Sequence, residues 1–174
     1  MKRIAKPQAG EFPAYASMYI DLLPDDGRVL EHLEANLAAT EALVASLSGE
    51  QLLHRYAEGK WTIKEVLVHV VDDERIYAYR ALRFARGDAT PLPGFEQDDY
   101  ALRSGANGRE IAGIMAEYAA VRRATIALFD GLEDDALVRS GVANGNPVSV
   151  RALAYHIAGH ELHHVALLRE RYLR

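Results

Sequence analysis

An all-α four-helix bundle is the fold class this sequence predicts, and three observations predict it. Apolar residues recur at helical spacings in long stretches, clusters of turn-forming residues separate those stretches, and nothing alternates strongly with a period of two. A chain of 174 residues, 49% hydrophobic and 26% charged, suits a single globular domain rather than a disordered or collagen-like polymer.

The elements follow in order. Residues 1–24 contain Pro7, Phe12, Pro13, Tyr15, Tyr19 and Pro24 but no helical stripe. They read as an extended N-terminal arm packed on the bundle or on a second subunit, with residues 25–174 forming the bundle as one domain. Asp25-Asp26-Gly27 opens the first helix, whose Val29, Leu30, Leu33, Leu37, Val44 and Leu47 fall on one stripe before the stop at Ser48-Gly49. A polar connection leads to Thr62-Ile63-Lys64-Glu65, a capping box in which hydroxyl and carboxylate each satisfy the other residue's backbone N–H. The second helix runs from there to about Arg86. Residues 87–106, with Pro91, Pro93, Gly94 and Gly105, predict a loop far longer than a tight helical turn needs. It serves as the crossover of the bundle or as a lid over a site. Asn107-Gly108-Arg109-Glu110 gives a second cap signal for a third helix to about Phe129. Asn144-Gly145-Asn146-Pro147 is turn chemistry, and Ser149 caps a last helix reaching about Tyr172. The two halves echo one another: Trp61 to His69 can be laid over Val148 to His156. A duplicated helical hairpin would explain this, and so would shared helix-start grammar.

Charge and cysteine content exclude whole classes of function. A net charge of -5 provides no basic footprint for nucleic acid. With no cysteine there is neither a disulfide framework nor a protein thiolate. No run approaches a membrane span, and Ile4 to Gly10 lacks the apolar centre of a secretory signal. A cytoplasmic protein is expected.

The histidines carry the chemistry. Of seven, four fall between His156 and His164. At about 100° per residue, His156, His160, His163 and His164 share an arc of about 100° on the last helix. Imidazoles at i and i+4 can point at one ion, and His160 to His164 is a literal H-E-x-x-H. A zinc protease would need a further ligand downstream, yet the ten following residues offer only Glu170 on the same helix. The third ligand must come from elsewhere. His69, among Val66, Val70 and Val71, is the candidate, because antiparallel second and fourth helices would set it level with His164 and His160. His156 and His163 then become neighbours or pocket walls. Three imidazoles leave a coordination position open, as in catalytic sites. Zinc suits them best, with nickel, cobalt or iron(II) as alternatives. A pH-sensitive polar patch is the competing explanation of the cluster.

Trp61-Thr62-Ile63-Lys64-Glu65-Val66-Leu67-Val68-His69, with Gly159-His160-Glu161-Leu162-His163-His164, resembles the DinB/YfiT-like superfamily of metal-binding four-helix bundles. Gly59-Lys60-Trp61, Asp73-Glu74-Arg75, Ala85-Arg86-Gly87-Asp88 and Pro91-Leu92-Pro93-Gly94-Phe95 resemble one DinB-like branch. The resemblance implies an up-down-down-up bundle, often a homodimer, holding one divalent ion through His69, His160 and His164. It also implies either a thiol-dependent S-transferase or a metal-dependent hydrolase acting on a small molecule. The thiol would be a low-molecular-weight one such as bacillithiol, mycothiol or glutathione. A dimeric, non-catalytic metal-binding stress protein is the alternative.

The remaining polar residues have two readings each. Asp73, at i+4 from His69, is a general base, a fourth ligand or an orienter of an imidazole, or else part of a solvated acidic turn. Asp73, His163 and His156 are the candidates to move protons. Asp72, Glu74 and Glu161 suit surface or interhelical ion pairs. Tyr77, Tyr79 and Arg80 could hold a substrate carboxylate or simply pack. Trp61 reads as a core staple, and Arg122-Arg123 as a solvent-facing pair.

Overall fold

The computed structural model describes residues 1–173. Its four long helices are α1 (Val29–Ala45), α2 (Ile63–Ala85), α3 (Ile111–Asp130) and α4 (Val150–Leu167), the last continuing as a wider π-type turn over Leu168–Tyr172. The capping box at the head of α2 is present in both directions, Thr62 accepting from the Glu65 N–H and Glu65 from the Thr62 N–H. Ser149 caps α4 by accepting from the Ala152 N–H. The expected cap at the head of α3 is absent: Glu110 occupies that place without a side-chain bond. Asn107 reaches sideways instead, accepting from the Thr62 hydroxyl at 2.7 Å and donating to Glu65 at 2.8 Å. A side chain read as a local cap thus ties two helices together at their starts.

Contacts along the helices fix their relative directions. Trp61 accepts from the Tyr172 hydroxyl, His69 meets His160, and Asp73 meets His156, so α2 and α4 run antiparallel. Thr62 meets Asn107 and Glu74 meets Arg122, so α2 and α3 advance together. Asn36 donates to the Ala158 carbonyl and Thr40 to Glu161, so α1 lies parallel to α4.

The connections hold more structure than their composition suggests. Ser48 is a stop for α1 but also caps a further turn, Gly49–Leu52, through a capping box with Gln51. The segment read as a plain loop carries a short helix, Gln97–Arg103, and a 3-10 turn, Ala106–Gly108. Between α3 and α4 lies a hairpin that the sequence did not announce, β1 (Ser140–Ala143) paired antiparallel with β2 (Asn146–Ser149). Its tip is Asn144-Gly145, both at positive φ (49° and 72°), which is the Asn-Gly two-residue turn that matches strand twist. Leu92 exchanges backbone hydrogen bonds with Val142 and Asn144, pinning the α2–α3 connection to this hairpin.

The N-terminal residues are not extended throughout: Ala14–Ala16 and Ser17–Ile20 are helical turns lying against α4. Ile4, Ile20 and Leu23 are buried, the Tyr155 hydroxyl donates to the Ile4 carbonyl at 2.9 Å, and Arg151 pairs with Glu11.

The apolar interior falls into two main clusters. One, at the hairpin end, includes Ile20, Leu33, Phe84, Phe129 and Leu153; the other, at the head of α2, includes Val44, Ile63, Leu67, Ile114 and Leu168. Between them lies a layer of buried polar side chains, which holds the histidines on one side and a charged network on the other. In that network Arg122 is 1% exposed, contrary to the solvent-facing position its sequence suggests. Its guanidinium pairs with Glu74 at 2.8 Å and Glu161 at 2.8 Å, donates to the Leu33 carbonyl, and Glu161 also accepts from Thr40 at 2.7 Å. Of the two expected roles for Glu74 and Glu161, the interhelical ion pair is the one present, and it is buried. Arg123 alone points outward.

Candidate metal centre

The middle turns of α2 and α4 bring His69, His160 and His164 together. One ring nitrogen from each lies within 4.8 Å of the others. His160 Nε2 is 3.2 Å from His69 Nε2 and 3.1 Å from His164 Nε2. A neutral imidazole has one N–H and one in-plane lone pair, so three nitrogens converging on a point cannot all satisfy one another. An ion would satisfy them: ligand nitrogens at zinc bond lengths in tetrahedral geometry stand about 3.3 Å apart. His69 Nδ1 and His164 Nδ1 are buried without a hydrogen-bond partner among the described residues. All three rings are buried, and burial lowers each pKa: His69 below its usual value, His160 to about 3 and His164 to about 2. They are therefore neutral near pH 7, the state in which a histidine nitrogen can bind a metal.

Asp73 lies behind this group and is buried. Its Oδ2 is 3.3 Å from His160 Nδ1 and 3.4 Å from His156 Nε2. Burial works against its ionisation, but the facing His160 and His156 rings outweigh it and hold the carboxyl well below the usual carboxylate range. A carboxylate on His160 Nδ1 orients the ring and leaves Nε2 free for an ion. Of the two readings of Asp73, the structure excludes the solvated acidic turn.

His156 stacks on Tyr77 with centroids 3.8 Å apart and planes 4° from parallel. His163 is half-buried at the rim, edge-on to His164 at 5.3 Å and to Tyr19 at 5.4 Å. His156 thus joins the polar layer beside Asp73, while His163 stays outside it. Asp72 pairs weakly with Arg75, and Arg75 with Glu117. Arg80 donates to the Pro93 carbonyl at 2.9 Å and covers the Tyr77 ring, and Tyr79 is exposed beside Arg83. Trp61 is no mere staple: its ring lies 4.7 Å from that of His69 and lines a cavity. His32 pairs with Asp26 near the surface and His54 is exposed, both away from the cluster.

Tyr19 is the residue that sequence reading missed. Its ring stands edge-on to His156 at 4.9 Å and to His160 at 5.3 Å. The approach depends on Gly159, where a Cβ would lie 2.1 Å from the Tyr19 carbonyl oxygen. A glycine in mid-helix, otherwise unfavourable, was the available signal of a close backbone approach.

Two cavities border the cluster. One of about 560 Å³ touches His164 and is walled by Tyr56, Trp61 and Tyr172, with the Arg55–Glu65 pair at its edge. The other, about 300 Å³, touches His160, His156 and Asp73. The segment once open between crossover and lid borders both, through Phe95 and Glu96 on one side and Asp98 and Leu102 on the other.

A family model described as the DinB superfamily matches residues 32–168. The chain belongs to the DinB superfamily. It is similar to a protein of Oceanobacillus iheyensis named "Putative metal-dependent hydrolase", 28% identical over 142 residues, which are 80% of this chain and 81% of that one. The solved structure of YfiT from Bacillus subtilis, described as "a probable metal-dependent hydrolase with an unusual four-helix bundle topology", superposes with a TM-score of 0.73. It is 18% identical, and the match covers 96% of this chain and 91% of YfiT. That likeness establishes the four-helix bundle fold. No helix among the described residues is long and apolar enough to cross a membrane.

Proposed function

We propose that this DinB-superfamily protein is a divalent-metal-dependent enzyme that attacks a small electrophilic molecule, with His69, His160 and His164 as the ligands. The observation that carries this is the convergence of three neutral, buried Nε2 atoms with no mutual hydrogen-bonding solution. A divalent ion there supplies Lewis acidity, which makes a water or a thiol nucleophilic near neutral pH. Zinc suits the donor set, with nickel, cobalt and iron(II) as alternatives. Asp73 fixes the His160 ring by accepting its Nδ1 proton. His156, between Tyr77 and Asp73, passes a proton between the cavity and that carboxylate, and His163, edge-on to His164, is the second candidate to move a proton. Tyr19 and the flanking segment shield the reacting point from bulk water.

Water is the first nucleophile, because the curated relative is named a hydrolase. A low-molecular-weight thiol is the second, because the cavity beside His164 has room for one. An up-down-down-up bundle crossing over between α2 and α3 is the order that the contact register supports, in a cytoplasmic protein that pairs as a homodimer, residues 1–24 forming an arm on a bundle of residues 25–174. The test is metal content by mass spectrometry, wild type beside His160→Ala. Near one ion per chain, lost in the variant, is the expected result, followed by hydrolysis assays and then thiol-transfer assays on the loaded protein. No ion after zinc and nickel are offered would overturn the reading.

A further inference from the structure

The smaller cavity has a chemistry of its own. Tyr15, Tyr19, Tyr77 and Phe95 contribute aromatic surface, and Asp73 and Glu96 contribute carboxylates, while neither lysine nor arginine lines it among the described residues. The guanidinium of Arg80, beside Tyr77, is bonded to the Pro93 carbonyl and stacked over the Tyr77 ring. The larger cavity differs: Arg55 and Lys60 balance Glu65 and Asp98 on its wall. Asp73 and His156, which line the smaller cavity, are both at least nine-tenths buried, and the Asp73 carboxylate meets only histidine rings, His160 Nδ1 at 3.3 Å and His156 Nε2 at 3.4 Å, with no lysine or arginine paired to it among the described residues. Carboxylates beside aromatic rings, with no competing cation, form the arrangement that holds ammonium groups, which the negative ring faces attract.

We infer that this cavity takes the ammonium group of a small cationic substrate, so that an amine-bearing molecule is presented to the histidine cluster from the Tyr19 side. The assignment rests on the proposed function for what happens to that substrate, but not for its binding. Glu96, exposed at the mouth, meets the charge first; Asp73 receives it at the floor, against the rings of Tyr15 and Tyr19. The volume, about 300 Å³, suits a short alkyl or aryl amine. With an ion on the three histidines, the two carboxylates also offset the repulsion between that ion and the incoming ammonium.

The experiment is an amide NMR titration of the full-length protein, metal-free and zinc-loaded, with n-butylammonium at constant ionic strength. Butyrate and n-butanol serve as charge and shape controls. Saturable shifts at Tyr15, Tyr19, Glu96 and Gln97 with the amine alone are expected. Glu96→Gln, at an exposed position that leaves the fold intact, weakens binding about threefold, the worth of one partly screened charge. Equal shifts with butyrate or butanol, or no saturable shift in either form of the protein, would overturn the inference. Zinc uptake without amine binding sinks this assignment and spares the metal centre. Amine binding without metal uptake does the reverse.

Discussion

Two polar clusters share the middle layer of the bundle, one residue apart on α4. Glu161 faces Arg122 and Glu74, and His160 faces His69, His164 and Asp73. The Arg122 cluster brings its own countercharge: a guanidinium between two carboxylates, its N–H groups spent on Glu74, Glu161 and the Leu33 carbonyl. The histidine cluster brings three nitrogens of like kind and leaves two outer nitrogens unbonded. A buried polar group left unpaired is costly, and adjacent residues of one helix, His160 and Glu161, stand in clusters that meet that cost differently. The first cluster draws both signs of its charge from the chain itself. The second, on the function proposed above, would be completed by a divalent ion.

The comparison can be broken most forcefully at Arg122. Arg122→Met strands Glu74 and Glu161 in the interior, and a loss of about 3–5 kcal/mol is expected in denaturant unfolding. A loss under about 1 kcal/mol would show that the network is dispensable to the fold.

Next in size is the effect of a metal. Zinc at about a thousandfold over its Kd is expected to add about 4 kcal/mol to wild-type stability and nothing comparable to His160→Ala. Calorimetric scans with and without zinc read this directly, and equal shifts in both proteins would put the ion elsewhere.

Gly159→Ala pushes a methyl into the Tyr19 carbonyl and should cost about 1–3 kcal/mol. It should also move the Tyr19 ring off the histidines, seen as altered histidine ring shifts by NMR. Unchanged shifts would mean that the N-terminal turn is not held by this contact.

pH probes the same histidines without a substitution or a ligand, in the metal-free protein. His160 and His164 bind protons less readily folded, at about 3 and about 2, than unfolded, near 6.5. The unfolded chain therefore takes up more protons below pH 6.5, so their contribution is present above that value and lost as pH falls. Each contributes a slope of up to about 1.4 kcal/mol per pH unit. Urea midpoints flat between pH 7 and 4 would contradict neutral, buried histidines.

How much of this was legible in the sequence differs along the same line. The helices were, because their stripes and the Thr62–Glu65 box are local signals. The histidine trio was too, since i, i+4 spacing and an antiparallel pairing suffice to bring His69 level with His160 and His164. Arg122 was not. Its countercharges come from two other helices, and an arginine on a helix otherwise reads as solvated. The hairpin escaped because four-residue strands are too short to establish a period, although Asn144-Gly145 marked its turn. Tyr19 was hidden by a sequence separation of more than a hundred residues from its partners, and the connection after α2 showed its prolines and glycines more plainly than its short helix.

The seating of Tyr19 against Gly159 has a consequence for how the protein assembles. Tyr15 and Tyr19 form a wall of the smaller cavity, but the surface Tyr19 rests on belongs to α4, more than a hundred residues later in the chain. Local helices can form early, while a contact spanning most of the chain carries the loop-closure cost of its length. During synthesis the early segment must wait, unpaired, until α4 has left the ribosome and packed on α2. The histidines can gather as soon as two helices meet. The chamber around them is finished only when Tyr19 reaches Gly159.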